Sequence, residues 1–201
     1  MSATRPQLPP EFVAAHKRRR MIDAMAALCA EQGYEATKIA DVVRRAHVAR
    51  KTLYDNFSGK EDLFLAAFDT TLADAEAEIA EACDAIDAGE WEARTEAGLR
   101  TLLEFVAAHP DASRLALVEA PAATPASAAR YEAAIDGFVA RLSEAAPPGP
   151  GRPATLEEAL VGGTVWIVQR QMRRGAAADA PDLLPELTEF VVSPYRSVGK
   201  R

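Results

Sequence analysis

Residues 37–63 read TKIADVVRRAHVARKTLYDNFSGKEDL, and the spacing of their apolar side chains decides the fold class. Ile39, Val42 and Val43 recur at three to four residues, one face of a short helix. Thr37 stands where its hydroxyl could accept from the free amides of the first turn. Arg44 and Arg45 lie near the negative end of that helix's dipole. Ala46-His47-Val48 is too short to link independent helices, so a tight turn is expected before a third helix of about residues 49–56. That helix turns Leu53 and Phe57 inward. Ser58-Gly59-Lys60-Glu61 fits a capping box, serine at the cap and glutamate three residues on, opening a long fourth helix to about Ala85.

Outward from this stretch the pattern stays helical. Upstream, Ile22, Met25 and Cys29 share one face of a helix that starts near Phe12 and stops at Gly33, a residue able to take a left-handed cap. Downstream the expected helices cover about 92–108, 112–119 (halted by Pro121 and Pro125), 126–145, 155–174 and 183–192. Thr155 is the expected cap of the penultimate helix, and residues 147–153, PPGPGRP, form a clear break. No period-two run of useful length and no repeat is present, so the fold class is all-α.

The 201 residues are 49% apolar, 26% charged and only 6% aromatic, the composition of a globular chain rich enough in alanine to favour helix. Two lone cysteines, Cys29 and Cys83, exclude a disulfide scaffold and a four-cysteine zinc site. No run of 18 apolar residues and no signal-peptide core occurs, so a cytoplasmic, reduced protein without a membrane partner is expected. The three histidines are scattered, and no phosphate loop or His-Glu-x-x-His pattern appears. No catalytic residue, metal or cofactor is therefore expected, and the chain is not expected to be an enzyme.

The net charge of −7 at first argues against a nucleic-acid partner. Its distribution reverses that argument. Residues 1–60 carry 11 basic and 6 acidic residues, a balance of +5, whereas residues 61–201 carry 12 and 24, a balance of −12. A basic head on an acidic body suggests two modules with different partners. Two short amphipathic helices around a tight turn make a helix-turn-helix unit, whose second helix enters a major groove. The outward positions of that helix are Arg50, Lys51, Thr52, Tyr54 and Asp55, mostly hydrogen-bond donors suited to phosphate oxygens and base edges.

The head resembles the tetracycline-repressor (TetR) family of transcriptional regulators. Carrying that resemblance are Glu31 to Thr37 (EQGYEAT), Ile39, Val42 and the run Ala46 to Leu63, above all Thr52-Leu53-Tyr54-x-x-Phe57-x-x-Lys60-Glu61-x-Leu63. The resemblance implies that Thr37, Tyr54 and Lys60 hold phosphates, and that Arg50, Lys51 and Thr52 approach base edges or the adjacent backbone. Two departures stand out. His47 occupies a turn position where the family usually has glycine, which implies a left-handed histidine. Ala49 stands where the family often has a serine or threonine cap, which implies a softer recognition helix.

For the remainder the resemblance implies a homodimer, bound to a double-stranded, pseudo-palindromic operator and released by a small-molecule effector of unknown identity. The expected division is residues 1–10 as a flexible arm, 11–60 as the DNA-binding domain and 61–201 as the dimerisation and effector domain. Candidate interface residues are Leu156, Leu160, Gly162, Gly163, Val165 and Leu187. Candidate pocket residues are Phe64, Phe68, Trp91, Phe105, Tyr131, Phe138, Trp166 and Gln169, and the scarcity of polar residues at apolar positions suggests a hydrophobic ligand. A helical interaction protein or a thiol-sensing regulator without an effector is the competing reading.

Overall fold

A computed structural model describes residues 10–148 and 152–196. The expected N-terminal arm, apart from Pro10, and the middle of the 147–153 break lie outside the described residues. Among those described, every regular element is helical.

Helix α1 (Pro10–Ala36) starts on a proline, whose fixed φ suits a first turn. It buries Met21, Ile22, Met25, Leu28 and Cys29 along one stripe. At Gly33 the backbone takes φ 81°, ψ 163° and breaks the helical ladder. The expected stop is therefore real, but ψ places Gly33 outside the left-handed helical region, and one short turn continues to Ala36.

Helices α2 (Ile39–Ala46) and α3 (Arg50–Asn56) follow. The cap of α2 is Lys38, not Thr37. Thr37 is buried, and its hydroxyl donates backwards to the Gly33 carbonyl at 2.8 Å, which serves the kink and leaves the start of α2 without a side-chain cap. At the other end His47 sits at φ 49°, ψ 49°. The His47 amide donates to Arg44 and the Val48 amide to Val43, the paired closure of a Schellman turn with histidine in the left-handed place. Ala49 precedes α3 in extended conformation with no side-chain cap.

Helix α4 (Lys60–Asp84) begins after Gly59. The expected Ser58–Glu61 box does not form; Asp62 accepts from the Ser58 amide and hydroxyl at 2.8 and 3.1 Å. With glycine as the cap residue, aspartate rather than glutamate stands three residues on, and its short side chain reaches Ser58.

Helix α5 (Trp91–Ala108) is followed by α6 (Pro110–Arg114), a π-helical turn (Leu115–Glu119) and α7 (Ala120–Ala123). Pro121 was expected to end this stretch, yet the chain stays helical through it. Proline has no N–H for the carbonyl four residues back. That carbonyl, of Leu117, instead accepts from Gln169 Nε2 at 2.7 Å. The lost bond is replaced from another helix.

Helix α8 (Pro125–Ala145) opens with a Thr124–Ser127 capping box. Helix α9 (Leu156–Arg173) lacks the cap expected from Thr155, whose side chain makes no bond to the first turn. A 3₁₀ turn (Ala177–Leu183), unforeseen in sequence, leads into α10 (Leu184–Arg196), which extends beyond the expected end at Val192 and includes Pro194.

Two apolar cores hold these helices. The first joins Met21, Met25, Val42, Leu53 and Phe57 of α1–α3 and the residue after them to Leu63, Phe64 and Phe68 of α4, and continues to Leu115 and Ala120. It runs past residue 60 without interruption. The second joins Leu103 and Val106 of α5 to Val168 and Met172 of α9, Ala180 of the 3₁₀ turn and Leu187 of α10. The π-helical stretch touches both, with Leu115 in the first core and Leu117 and Val118 packed on the second.

Candidate nucleic-acid interface and ligand body

Burying Leu53 and Phe57 fixes which side of α3 faces out. Arg50, Lys51, Tyr54 and Asp55 are exposed and Thr52 is half-buried. Tyr54 is 47% exposed, a high value for a large aromatic ring. The Arg50 guanidinium lies 5.7 Å from its centroid and donates to its hydroxyl at 3.4 Å. Arg50 has no carboxylate partner among the described residues, and Lys51 meets only Asp55, at 3.8 Å with the lysine 88% exposed. Such a pair is worth little in water and yields readily to phosphate. Three other head cations are held by carboxylates: Arg44 by Asp41, Arg45 by Glu31, and Arg19 by Asp23 and Asp74. Among the described residues, exposed cations without a carboxylate partner thus include Arg50 on α3, Lys38 at the start of α2, and Lys17 and Arg18 on α1.

Thr37, at 1% exposure, offers no surface to a phosphate in this conformation. Lys60 is half-buried, and its ammonium donates to the carbonyls of Tyr34 (2.9 Å) and Glu35 (3.4 Å) while resting 3.9 Å above the Tyr34 ring. It caps the last carbonyls of α1, a role that spacing alone did not reveal.

Two residues of the basic run Lys17–Arg20 on α1 have a structural part that the motif did not reveal. Arg20 donates to the His47 carbonyl at 3.3 Å, bracing the turn between α2 and α3, and Arg18 stacks on Phe57 at 5.1 Å. The signal available was a basic run one helical face away from the motif. Two open grooves, of about 470 and 290 Å³, flank Arg45 between α1 and α2. None of the eight candidate pocket residues lines either.

Those eight separate into three groups. Phe64 and Phe68 are buried in the first core, Phe64 edge-on to Tyr34 at 4.7 Å, so both are structural. Trp166 is 54% exposed on α9 beneath Arg170, facing away from the interior of the chain. The other five lie in the body. Tyr131 and Gln169 are joined through Nε2 of the glutamine at 2.9 Å. Trp91 packs on Tyr195 with its Nε1 buried and unpartnered, Phe105 packs on His109, and Phe138 lies under Arg141.

The interface candidates divide as well. Leu160 and Leu187 are buried within the chain at 3% and 0% exposure, so neither has surface left for a partner. Leu156 and Val165 are half-exposed. Gly162 is exposed with open space where a Cβ would stand, and Gly163 lies under the ring of Phe190, itself 39% exposed. Gly162, Val165, Trp166 and Phe190 thus form an apolar outer face across α9 and α10.

Burial pushes the Cys29 thiol up to about 11, against a smaller opposing effect from Thr37. Cys83 is also raised by burial, its thiol donating to the Arg94 carbonyl. Both thiols are therefore protonated near neutral pH, which disfavours thiolate chemistry. Among the described residues no three His, Cys, Asp or Glu side chains group as metal ligands, and no helix is long and apolar enough to cross a membrane.

Residues 21–67 match the family model of bacterial regulatory proteins, tetR family. The chain also shares its fold with solved structures of low sequence identity. The fatty acid degradation regulator FadR from Bacillus halodurans is 16% identical, with 95% of this chain and 99% of that one covered at TM-score 0.80. The transcriptional regulator FadR from Bacillus subtilis, solved in complex with stearoyl-CoA, is 17% identical, covers 87% and 97%, and gives TM-score 0.76. A TetR-family transcriptional regulator from Streptomyces coelicolor is 24% identical over 97% and 98%, with TM-score 0.69.

Proposed function

Because residues 21–67 belong to the tetR family of bacterial regulatory proteins, we propose that the whole chain is a homodimeric, cytoplasmic repressor and not an enzyme. It binds a pseudo-palindromic operator through residues 11–60 and is released by an effector held in residues 61–201. The exposed donor face of α3 carries this reading: Arg50, Lys51, Thr52 and Tyr54 project from a helix anchored by Leu53 and Phe57. Arg50 and Lys51 read base edges, Tyr54 and Lys38 hold phosphates, and Thr52 reaches the neighbouring backbone. Lys60 acts on phosphate only through the end of α1 that it caps, and Thr37 through the kink at Gly33.

Dimerisation through the outer face of α9 and α10 supplies the two-fold axis, with Gly162, Val165, Trp166 and Phe190 against their copies. Aromatic anchors beside glycines allow close helix approach, and the partner covers rings that one chain leaves in water. Two heads then face successive major grooves about 34–36 Å apart.

The effector is a hydrophobic small molecule that enters between α6–α7, α8 and α9, near Phe138 and the Tyr131–Gln169 pair. The neighbour solved with stearoyl-CoA supports an acyl chain as the first class to try. An effector acts only by preferring one separation of the heads. The test is selection of bound fragments from genomic DNA, followed by titration with long-chain acyl-CoA. Salt-sensitive binding to a two-fold site, lost on adding acyl-CoA, is expected; salt-sensitive binding indifferent to acyl-CoA would reject the effector class alone.

A further inference from the structure

The positive φ of Gly33 takes the Tyr34 amide out of the helical ladder of α1. A buried N–H left without a partner is costly. Tyr34 donates instead to Glu119 Oε2 at 3.0 Å, from a residue 85 positions away in the chain. The other two side chains on this joint, Thr37 on the Gly33 carbonyl and Lys60 on the Tyr34 carbonyl, hold it from the joint itself and from the start of α4. Among the described residues, Glu119 is the side chain from the body that hydrogen-bonds the joint, beside the Phe64 ring packed on Tyr34. A Cβ on residue 33 would stand 3.5 Å from the carboxylate, an ordinary contact, so it is the positive φ that calls for glycine at this joint.

Glu119 closes the π-helical turn, and π turns often mark functional sites because the extra residue re-aims what it carries. This turn depends on the body. The Ala120 amide bonds to the Leu115 carbonyl, and the Leu117 carbonyl takes its hydrogen from Gln169, which also donates to Tyr131. An unbroken series of hydrogen bonds and one short backbone segment therefore joins Tyr131 and Gln169 to the amide at the joint that precedes α2.

We infer that Glu119 is a positioning residue for DNA recognition: its carboxylate sets the angle at which α2 and α3 leave α1, and the Gln169–Leu117 bond sets the place of the carboxylate. The inference rests on the DNA-binding reading above. Ligand atoms that claim the Gln169 amide would shift the π turn and loosen the joint without touching the head.

The test uses the full chain with Glu119→Ala, Glu119→Gln and Gln169→Leu. Hydrogen exchange at the Tyr34 amide is followed without DNA. Affinity is measured for an operator recovered by genomic selection and for the same site with one base pair inserted at its centre. Loss of a hydrogen bond to a charged group corresponds to about tenfold or more faster exchange in Glu119→Ala. That variant is expected to lose most of the discrimination between the two spacings, a change that a smaller folded fraction alone cannot produce. Glu119→Gln keeps an acceptor and should restore both readouts; Gln169→Leu should reproduce the loss of spacing discrimination. Unchanged exchange at Tyr34 in Glu119→Ala, or unchanged spacing discrimination, overturns the inference. Failure of the wild type to bind any DNA overturns the DNA-binding reading itself, and the exchange data then report separately whether the carboxylate holds the joint.

Discussion

Replacing Gly162 by alanine separates a lone chain from a dimer by the sign of its effect. In one chain nothing lies within 4 Å of the added Cβ, and Gly162 sits well inside α9. Alanine there removes the entropic penalty of glycine, a gain of about 1 kcal/mol. For a chain of this size that raises Tm by about 2–4 °C. If a partner's helix packs against Gly162, the same methyl group is overpacked, at a cost of about 1–3 kcal/mol per site. Two-fold symmetry presents the site twice, so even the lower figure gives about 2 kcal/mol, or a dimer weakened about 30-fold. Sedimentation across a concentration series, with thermal melts at the dilute end, reads both quantities. The expected result is a higher Tm for the monomer with a clearly weaker dimer. A Tm gain with unchanged dimer dissociation would refute packing of a partner on this face. Gly163→Ala is the companion control: its Cβ would fall 2.9 Å from the Phe190 ring, which must swing away even in a single chain.

Other consequences are open to direct measurement. Lys60→Met removes the ammonium from two carbonyls and one ring face, and should cost about 2 kcal/mol, a fall in Tm of about 4–8 °C; an unchanged melt would mean that the α1 end is not held by this residue. Tyr54→Phe should weaken operator binding nearly uniformly across sequence variants, whereas Arg50→Ala should alter which bases are preferred. Identical sequence preference in Arg50→Ala would place Arg50 on the backbone and not on a base. Cys29, pushed up to about 11 by burial, keeps its proton in the folded chain where the unfolded chain has lost it. Its contribution to stability is therefore complete below pH 9 and is lost as pH rises towards 11. Denaturant midpoints of wild type should fall more steeply over that range than those of Cys29→Ala; parallel slopes would contradict this.

The local parts of this fold were readable because local chemistry decides them. The resemblance implied a left-handed His47, at a turn position where the family usually has glycine, and the residue is left-handed. Ala49 could not cap, and no side-chain cap is present. Gly33 marked the end of the long first helix, though with a ψ that only the structure reveals. Where tertiary partners compete with a local rule, the local rule failed. Thr37 has cap chemistry, but its hydroxyl found the Gly33 carbonyl. Pro121 removes an N–H, and no propensity rule could foresee that Gln169 would supply the missing hydrogen to Leu117.

The limits at the candidate sites have the same origin. Interface and pocket candidates both fell on α9, and the sequence did not tell which side of it the chain covers itself. Leu160 went inward and Trp166 outward. Lys60 stood in the resemblance as a phosphate ligand, while its ammonium donates to two carbonyl oxygens of its own chain. Glu119 carried no signal at all in sequence. It became visible only when Gly33 was seen to release an amide and the π-helical turn was seen to bring a carboxylate to it.

The most direct test of DNA recognition is a binding titration on genomically selected fragments at several salt concentrations. Two-fold sites with half-site centres one helical turn apart, and affinity falling steeply with log salt, are the predicted result. Absence of any selected site, or binding indifferent to salt and to the loss of Arg50 and Tyr54, would contradict it.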